Sequence, residues 1–401
     1  MATPSESGPT NGGVEGGTTA RHPEQERTYR ASAGNSSWLP EVIERSQYLK
    51  GALATPLGAN DLPYWEELAE WQYEQPPLED FMLKILGQAR DWNDIDQSEG
   101  GKWKRASRHD SKYKIDGKDV KVESLKKDEG SETWFMRKSS HAQPDVKFEH
   151  LEHLLRVDHG PKEADAMPAV IYCNTVLKYD LTRKEYETSM RRLLEEGWHH
   201  PTIDVIEMFH NISPIPGMLN RRVFTQLVVT AVFINPSALD DARSTEFVVV
   251  QLPINYEKFP KEFWEDRTSV KSGKFMPKEK EVAGEHYGGK LVRATYASVE
   301  KVVQQSEGGG VVNVWTMSTS SNAKGALPEF VQKPSIPGQI NHDVKLILAQ
   351  IKKMIDGNAF PDSVNENVER AGIPRQQLGR TQQDQRIASP TGGCEKNTRN
   401  E

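Results

Sequence analysis

The stretch from Lys290 to Asp356 constrains the fold more than any other part of the chain. Leu291 to Gln304 alternates as a strand, with Val292, Ala294, Tyr296, Ser298, Glu300 and Val302 in one phase. Glu307 and the glycines 308–310 make a turn, and Val311 to Thr319 returns. After Pro337-Gly338, the residues Ile340, Val344, Ile347, Leu348, Ile351 and Ile355 recur at helical spacing. A hairpin running into a helix with one apolar face predicts a sheet curved around that helix. A cavity between the two is a place for an apolar ligand.

The preceding chain supplies more strands than helices. Leu78, Phe81, Met82, Ile85, Leu86, Ala89 and Trp92 fall on one helical stripe that begins after Pro76-Pro77. Val120 to Leu125 and Thr133 to His141 predict a hairpin, and Phe148 to Val157 a helix. Pro168 to Asp180 and Val205 to His210 read as strands on either side of a charged helix, Lys184 to Glu196. Arg221 to Ile234 is the most strongly strand-forming run, followed by Phe247 to Ile254. This order predicts an α+β fold with an antiparallel sheet, not alternating βαβ units. Tyr256 to Gly289 is rich in Lys and Glu and reads as a polar insertion, 256–289.

Residues 1–37 and 357–401 hold too few large apolar side chains to offset the entropy of ordering, and both read as disordered tails around one domain, 38–356. A net charge of −7 without a basic block argues against a nucleic-acid partner. Two cysteines, Cys173 and Cys394, are too few for a disulfide framework and fit a reducing, cytoplasmic setting. Neither a leader segment nor an apolar run of bilayer length is present.

Several blocks carry a family likeness. Trp134 to His141, Phe148 with Leu155, Asp158-His159 and Glu163 come first; Val205 to His210, Asn220 to Phe224, Leu227 to Thr230 and Phe247 to Pro253 follow. Tyr296 to Glu300, Trp315 to Thr319, Asn322-Ala323, Gly325 to Gln332 and Pro337 to Val344 complete the series. In this order the chain resembles a START-like domain family of unknown function found in fungi. The resemblance covers roughly Trp103 to Asp356. It implies a helix-grip fold, a curved antiparallel sheet around a long C-terminal helix, enclosing a tunnel for a lipid or another hydrophobic molecule. It implies no particular ligand.

Glu300 shares strand phase with Val292, Tyr296 and Val302, while Arg293 and Lys301 take the other face. An inward carboxylate needs a cation, for which Arg137, Arg221 and Arg222 are available. Glu300 then reads as a polar anchor for a ligand head group, as a structural ion pair, or as a rim residue. Trp315 and Met317 share a face as an adaptable apolar wall or as ordinary core. His150 and His153 lie off the apolar stripe of their helix, so they read as solvated, not metal-bound. His199-His200 before Pro201 reads as a loop. Gly284 to Lys290 falls short of a phosphate-binding loop, because Leu291 stands where Ser or Thr is needed and a strand follows. Lys258 to Trp264 mixes cations and aromatics with acids and reads as a solvated loop. Leu327 to Phe330 and Pro334 to Gly338 are hinge candidates before the last helix.

The leading expectation is a non-enzymatic domain binding a lipid or similar hydrophobic molecule, with transient membrane contact compatible with that role. Leu227, Val229, Tyr296, Trp315 and Met317 are expected to line the cavity, Ile340, Val344 and Ile347 to cap it, and Arg137 with Glu300 to fix its polar end. No catalytic residue, metal or cofactor is assigned. The alternatives are an enzyme of cyclase or hydrolase type using the same cavity, and a ligand-free interaction scaffold.

Overall fold

A computed structural model describes residues 47–95, 103–143, 145–211, 220–236, 245–271, 273–275, 291–307, 309–325 and 333–361. The tails 1–37 and 362–401, Gly284 to Lys290 and the hinge candidate Leu327 to Phe330 lie outside them. Local chemistry sets the hairpins first. Ser111–Ile115 (β2) turns into Lys118–Glu129 (β3) through Asp116 and Gly117, both at positive φ, which suits the twist of a two-residue hairpin. β3 returns as Glu132–Ala142 (β4), and Leu291–Glu307 (β11) returns as Gly310–Asn322 (β12). The remaining strands are Lys104–Arg105 (β1), Val170–Lys178 (β5), Trp198–His210 (β6), Arg221–Ile234 (β7) and Thr245–Pro253 (β8). A separate ribbon pairs Val270–Lys271 (β9) with Lys274–Phe275 (β10).

The main sheet runs β1-β3-β4-β12-β11-β8-β7-β6-β5, with β2 also on β3. Its ladders are antiparallel except for one. β8 pairs with β11 only from Ser298 to Val303 and stops at Pro253, where Ile254, still bonded to β7, also bridges Leu57. The start of β11 therefore reaches β7, making a short parallel ladder of Leu291 to Ala294 with Arg221 to Phe224.

Helices cover both faces. Glu66–Glu70 (α1), Leu78–Trp92 (α2), Glu187–Glu195 (α5) and Lys261–Glu265 (α6) lie with the core on one side. Phe148–Leu155 (α3), His159–Ala166 (α4) and Ile336–Asp356 (α7) hold the other, concave side. The apolar stripes of α2 and α7 are the expected ones except at their ends: Leu78, Phe81, Met82, Ile85, Leu86 and Ala89 are buried in the first and Ile340, Val344, Ile347, Leu348 and Ile351 in the second, whereas Trp92 is half-buried and Ile355 exposed. Each helix is also pinned by an asparagine. Asn93, capping α2, donates to Val299 O at 2.9 Å and accepts from Ser318 Oγ at 2.6 Å. Asn341 of α7 donates to His109 O at 2.7 Å and to Ser124 Oγ at 3.0 Å.

Four expectations need correction. Leu227 and Val229 do not face the cavity: they join the core beneath α2 and α5, while Phe224, Val228 and Val232 take the concave side. β7 is buried on both faces, so its apolar residues do not mark which face is which. Second, β6 begins at Trp198, and the His199-His200-Pro201 step is a bulge in its ladder with β7, not a loop. Third, Lys258 to Trp264 is not solvated: Phe259, Phe263 and Trp264 are buried under the sheet, with the charges turned outward. Fourth, His150 is buried and stacks on Phe360 with ring centroids 4.5 Å apart. The described order thus runs past Asp356 to Phe360, which closes the end of α7 against α3.

Candidate ligand-binding site

Strand phase carries the site. On the concave face β11 presents Tyr296, Ser298 and Glu300, β12 presents Trp315 and Met317, and β4 places Arg137 opposite Met317. β8 adds Val249 and Gln251. α3 contributes Leu154 and Leu155, α4 His159 and Glu163, and α7 Asp343 and Ile347. Together they enclose an inner chamber of about 40 Å³, enough for a few water molecules or one small polar group. Glu163, Met167, Gln251, Tyr296, Met317 and Asp343 also form the wall of an outer chamber of about 780 Å³, which continues past Met208, Phe224, Ile340 and Leu346. That volume lies within the range of about 300–1,000 Å³ usual for small-molecule sites.

Close approach of α4 to the sheet depends on Gly160. A Cβ there would lie 2.7 Å from Cys173 Sγ and 3.1 Å from Ile206 Cδ1, so only glycine lets the turn carrying His159 and Glu163 sit this low.

The inner chamber is polar. Arg137 Nη2 donates to Glu300 Oε1 at 3.0 Å, and Trp315 Nε1 donates to the same oxygen at 2.7 Å. The guanidinium carbon stands 3.9 Å from the Trp315 ring centroid, so one indole bonds the carboxylate and covers the cation. Burial pushes Glu300 up and Arg137 down, each toward its neutral form, and their mutual attraction opposes both shifts. Arg137 is 2% exposed, yet its Nε and Nη1 have no hydrogen-bond partner among the described residues. Buried donors left in this state are costly.

A second pair stands beside the first. His159 Nδ1 donates to Leu155 O at 2.6 Å, and Nε2 lies 3.1 Å from Glu163 Oε2. Burial opposes a charge on His159, but the hydrogen bond and charge of Glu163 outweigh it and raise the pKa. Burial likewise pushes Glu163 up, and His159 more than reverses it, leaving that pKa lowered. Asp343 differs. Burial pushes its carboxyl up to about 7, Arg137 opposes the shift, and Glu163 and Glu300 add to it. For His210, in the outer wall, burial lowers the pKa and Glu163 opposes the shift.

Residues 134–351 match the model of a family described as a protein of unknown function (DUF3074). The chain belongs to this family. No curated protein matches it. Among solved structures it is similar to human STARD10, at 14% identity and a TM-score of 0.40 over 71% of this chain and 89% of that one. Human StAR-related lipid transfer protein 5 is similar at 10% identity and a TM-score of 0.40, over 69% and 99% of the two chains. The lipid transfer and protein localization domain of human StarD13 (DLC2) is similar at 13% identity and a TM-score of 0.33, over 60% and 88%.

In this DUF3074 chain, Arg137, Tyr296, Glu300, Trp315, Met317 and Ile347 stand in the inner wall and Ile340 in the outer one. Val344 is fully buried in the core below α7 and lines neither chamber. Of the cations available to Glu300, Arg137 is the one that pairs; Arg222 instead donates to the carbonyls of Ala323 and Lys324. His159, Glu163, Gln251 and Asp343 were not among the expected site residues. A signal existed for three: His159 and Glu163 stand four apart on a short helix, and Asp343 interrupts the apolar stripe between Ile340 and Val344. Gln251 had none. Among the described residues, no group of three or more His, Cys, Asp or Glu is placed to hold a metal ion, and no helix is long and apolar enough to cross a membrane.

Proposed function

We propose that the chain binds a lipid or similar hydrophobic small molecule, its apolar body in the outer chamber and a polar end at the inner one. One observation carries this reading: a chamber of about 780 Å³ joins a buried polar end in which Arg137 keeps two donors without an acceptor. A collapsed scaffold would have no reason to retain either. The test is native mass spectrometry of the full chain purified from a eukaryotic host, with solvent extraction of what it carries. A stoichiometric apolar mass that disappears in Ile340→Asp, with the fold retained, is expected. A consistently empty, folded protein overturns the reading.

A catalytic reading has one observation in its favour, the pairing of His159–Glu163 with an Asp343 that titrates near neutrality. It requires that a supplied ligand be recovered changed in mass, and that Glu300→Gln stop the change.

A further inference from the structure

The two chambers differ in charge. Among the described residues, the outer wall holds two carboxylates, Glu163 and Asp343, and neither lysine nor arginine. Arg137 and His159 belong to the inner wall, where each already has a carboxylate, Glu300 and Glu163 respectively. Asp343, at the junction, is left without a counter-ion of its own: Arg137 and His159 stand against Glu163, Glu300 and Asp343. A half-buried carboxylate beside two others is stabilised by a positive charge. Arg137, in the same wall, needs an acceptor oxygen for Nε and Nη1.

We propose that the ligand is a long-chain amino alcohol, its ammonium group beside Asp343, its hydroxyl oxygen toward Arg137, and its hydrocarbon body in the outer chamber. The inference rests on the binding reading above and narrows it. An acidic head group would meet Glu163 and Asp343 with no cation in the outer wall, and that repulsion discriminates against it. A simple alcohol would satisfy Arg137 and leave Asp343 unpaired. The groups facing Asp343 are Arg137 on β4, Tyr296 and Glu300 on β11, and His159 and Glu163 on α4; His210 on β6 lines the same outer chamber, and His342 stands beside Asp343 in sequence. Once Asp343 has lost its proton, an ammonium ion balances that set.

The test titrates the full chain with 2-amino-1-hexadecanol, 1-hexadecanol and hexadecanoic acid, which share a tail. The amino alcohol is expected to bind about tenfold more tightly than the alcohol, with the acid weakest. Asp343→Asn removes the advantage of the amine over the alcohol. In the unmutated protein, amine affinity rises from about pH 6 to about pH 8 as Asp343 ionises, because binding an ammonium ion releases the proton of Asp343. Equal binding of amine and alcohol, or tightest binding of the acid, overturns the inference while leaving the hydrophobic-ligand reading intact. Failure of all three to bind takes both down.

Discussion

Glu300 accepts from Arg137 and from Trp315 through a single oxygen, and removing either charge strands the other in a buried wall. Arg137→Met is expected to cost about 3–5 kcal/mol in urea denaturation, whereas Arg137→Met with Glu300→Gln should recover at least half of that, since no unpaired charge remains. No recovery would mean that the cation over Trp315 matters for itself. Asp343 acts in the opposite sense. Its folded pKa of about 7 lies above the ordinary 3.8, so the folded state holds a proton the unfolded state has lost, and stability falls as pH rises between those values. Asp343→Asn should therefore raise Tm at about pH 8 and leave it unchanged at about pH 3. The His159–Glu163 pair has its own window. A raised histidine stabilises fully below its ordinary 6.5 and a lowered glutamate fully above its ordinary 4.5, so the pair contributes most between these two values. A Glu163→Gln variant whose loss of Tm is the same inside and outside that window would refute the assignment.

At the scale of elements, helices with long apolar stripes were legible, and short or interrupted elements were not. α2 and α7 bury the positions their 3.6-residue spacing marks, apart from Ile355 at the exposed end of α7, because six or more apolar side chains on one face leave no other solution. α6 offers only Phe263 and Trp264 in five residues, between Lys and Glu, and too short a run cannot show a period. β6 was cut short because Pro201 and two histidines resemble a turn, whereas a bulge accommodates them. The asparagines that lock α2 and α7 are invisible to periodicity, since their partners are backbone carbonyls and hydroxyls distant in sequence. Asn341→Ala should cost about 1–3 kcal/mol by orphaning the groups it bonds, and hydrogen exchange should quicken in the first half of α7 before it does in α2. Exchange quickening equally in both helices would show that the asparagine supports the fold as a whole.

For the whole molecule, a sheet covered on both faces explains why the cavity's residues were half legible. The concave phase of β11 and β12 could be read, because Arg293 and Lys301 mark the reverse face. β7 carries no such mark; every residue from Arg222 to Phe233 is buried, so alternation leaves the choice of side to the helices that dock later. The two sides predict different failures. Leu227→Asp should unfold the protein, since the charge enters the core below α2, with loss of the cooperative thermal transition. Met317→Ser, at the chamber wall, should keep a cooperative thermal transition and lower ligand retention at least about tenfold. A folded Leu227→Asp variant would mean that β7 is turned over.

The short parallel ladder between the start of β11 and the start of β7 also bears on time. It joins segments far apart in the chain, and contacts of such separation form after the local hairpins, once loop entropy has been overcome. Until then Phe224 and Tyr296 do not meet, and the outer chamber has no wall on that side. A ligand bound as proposed would need that wall in place, so it would leave the speed of folding untouched and act as a brake on unfolding.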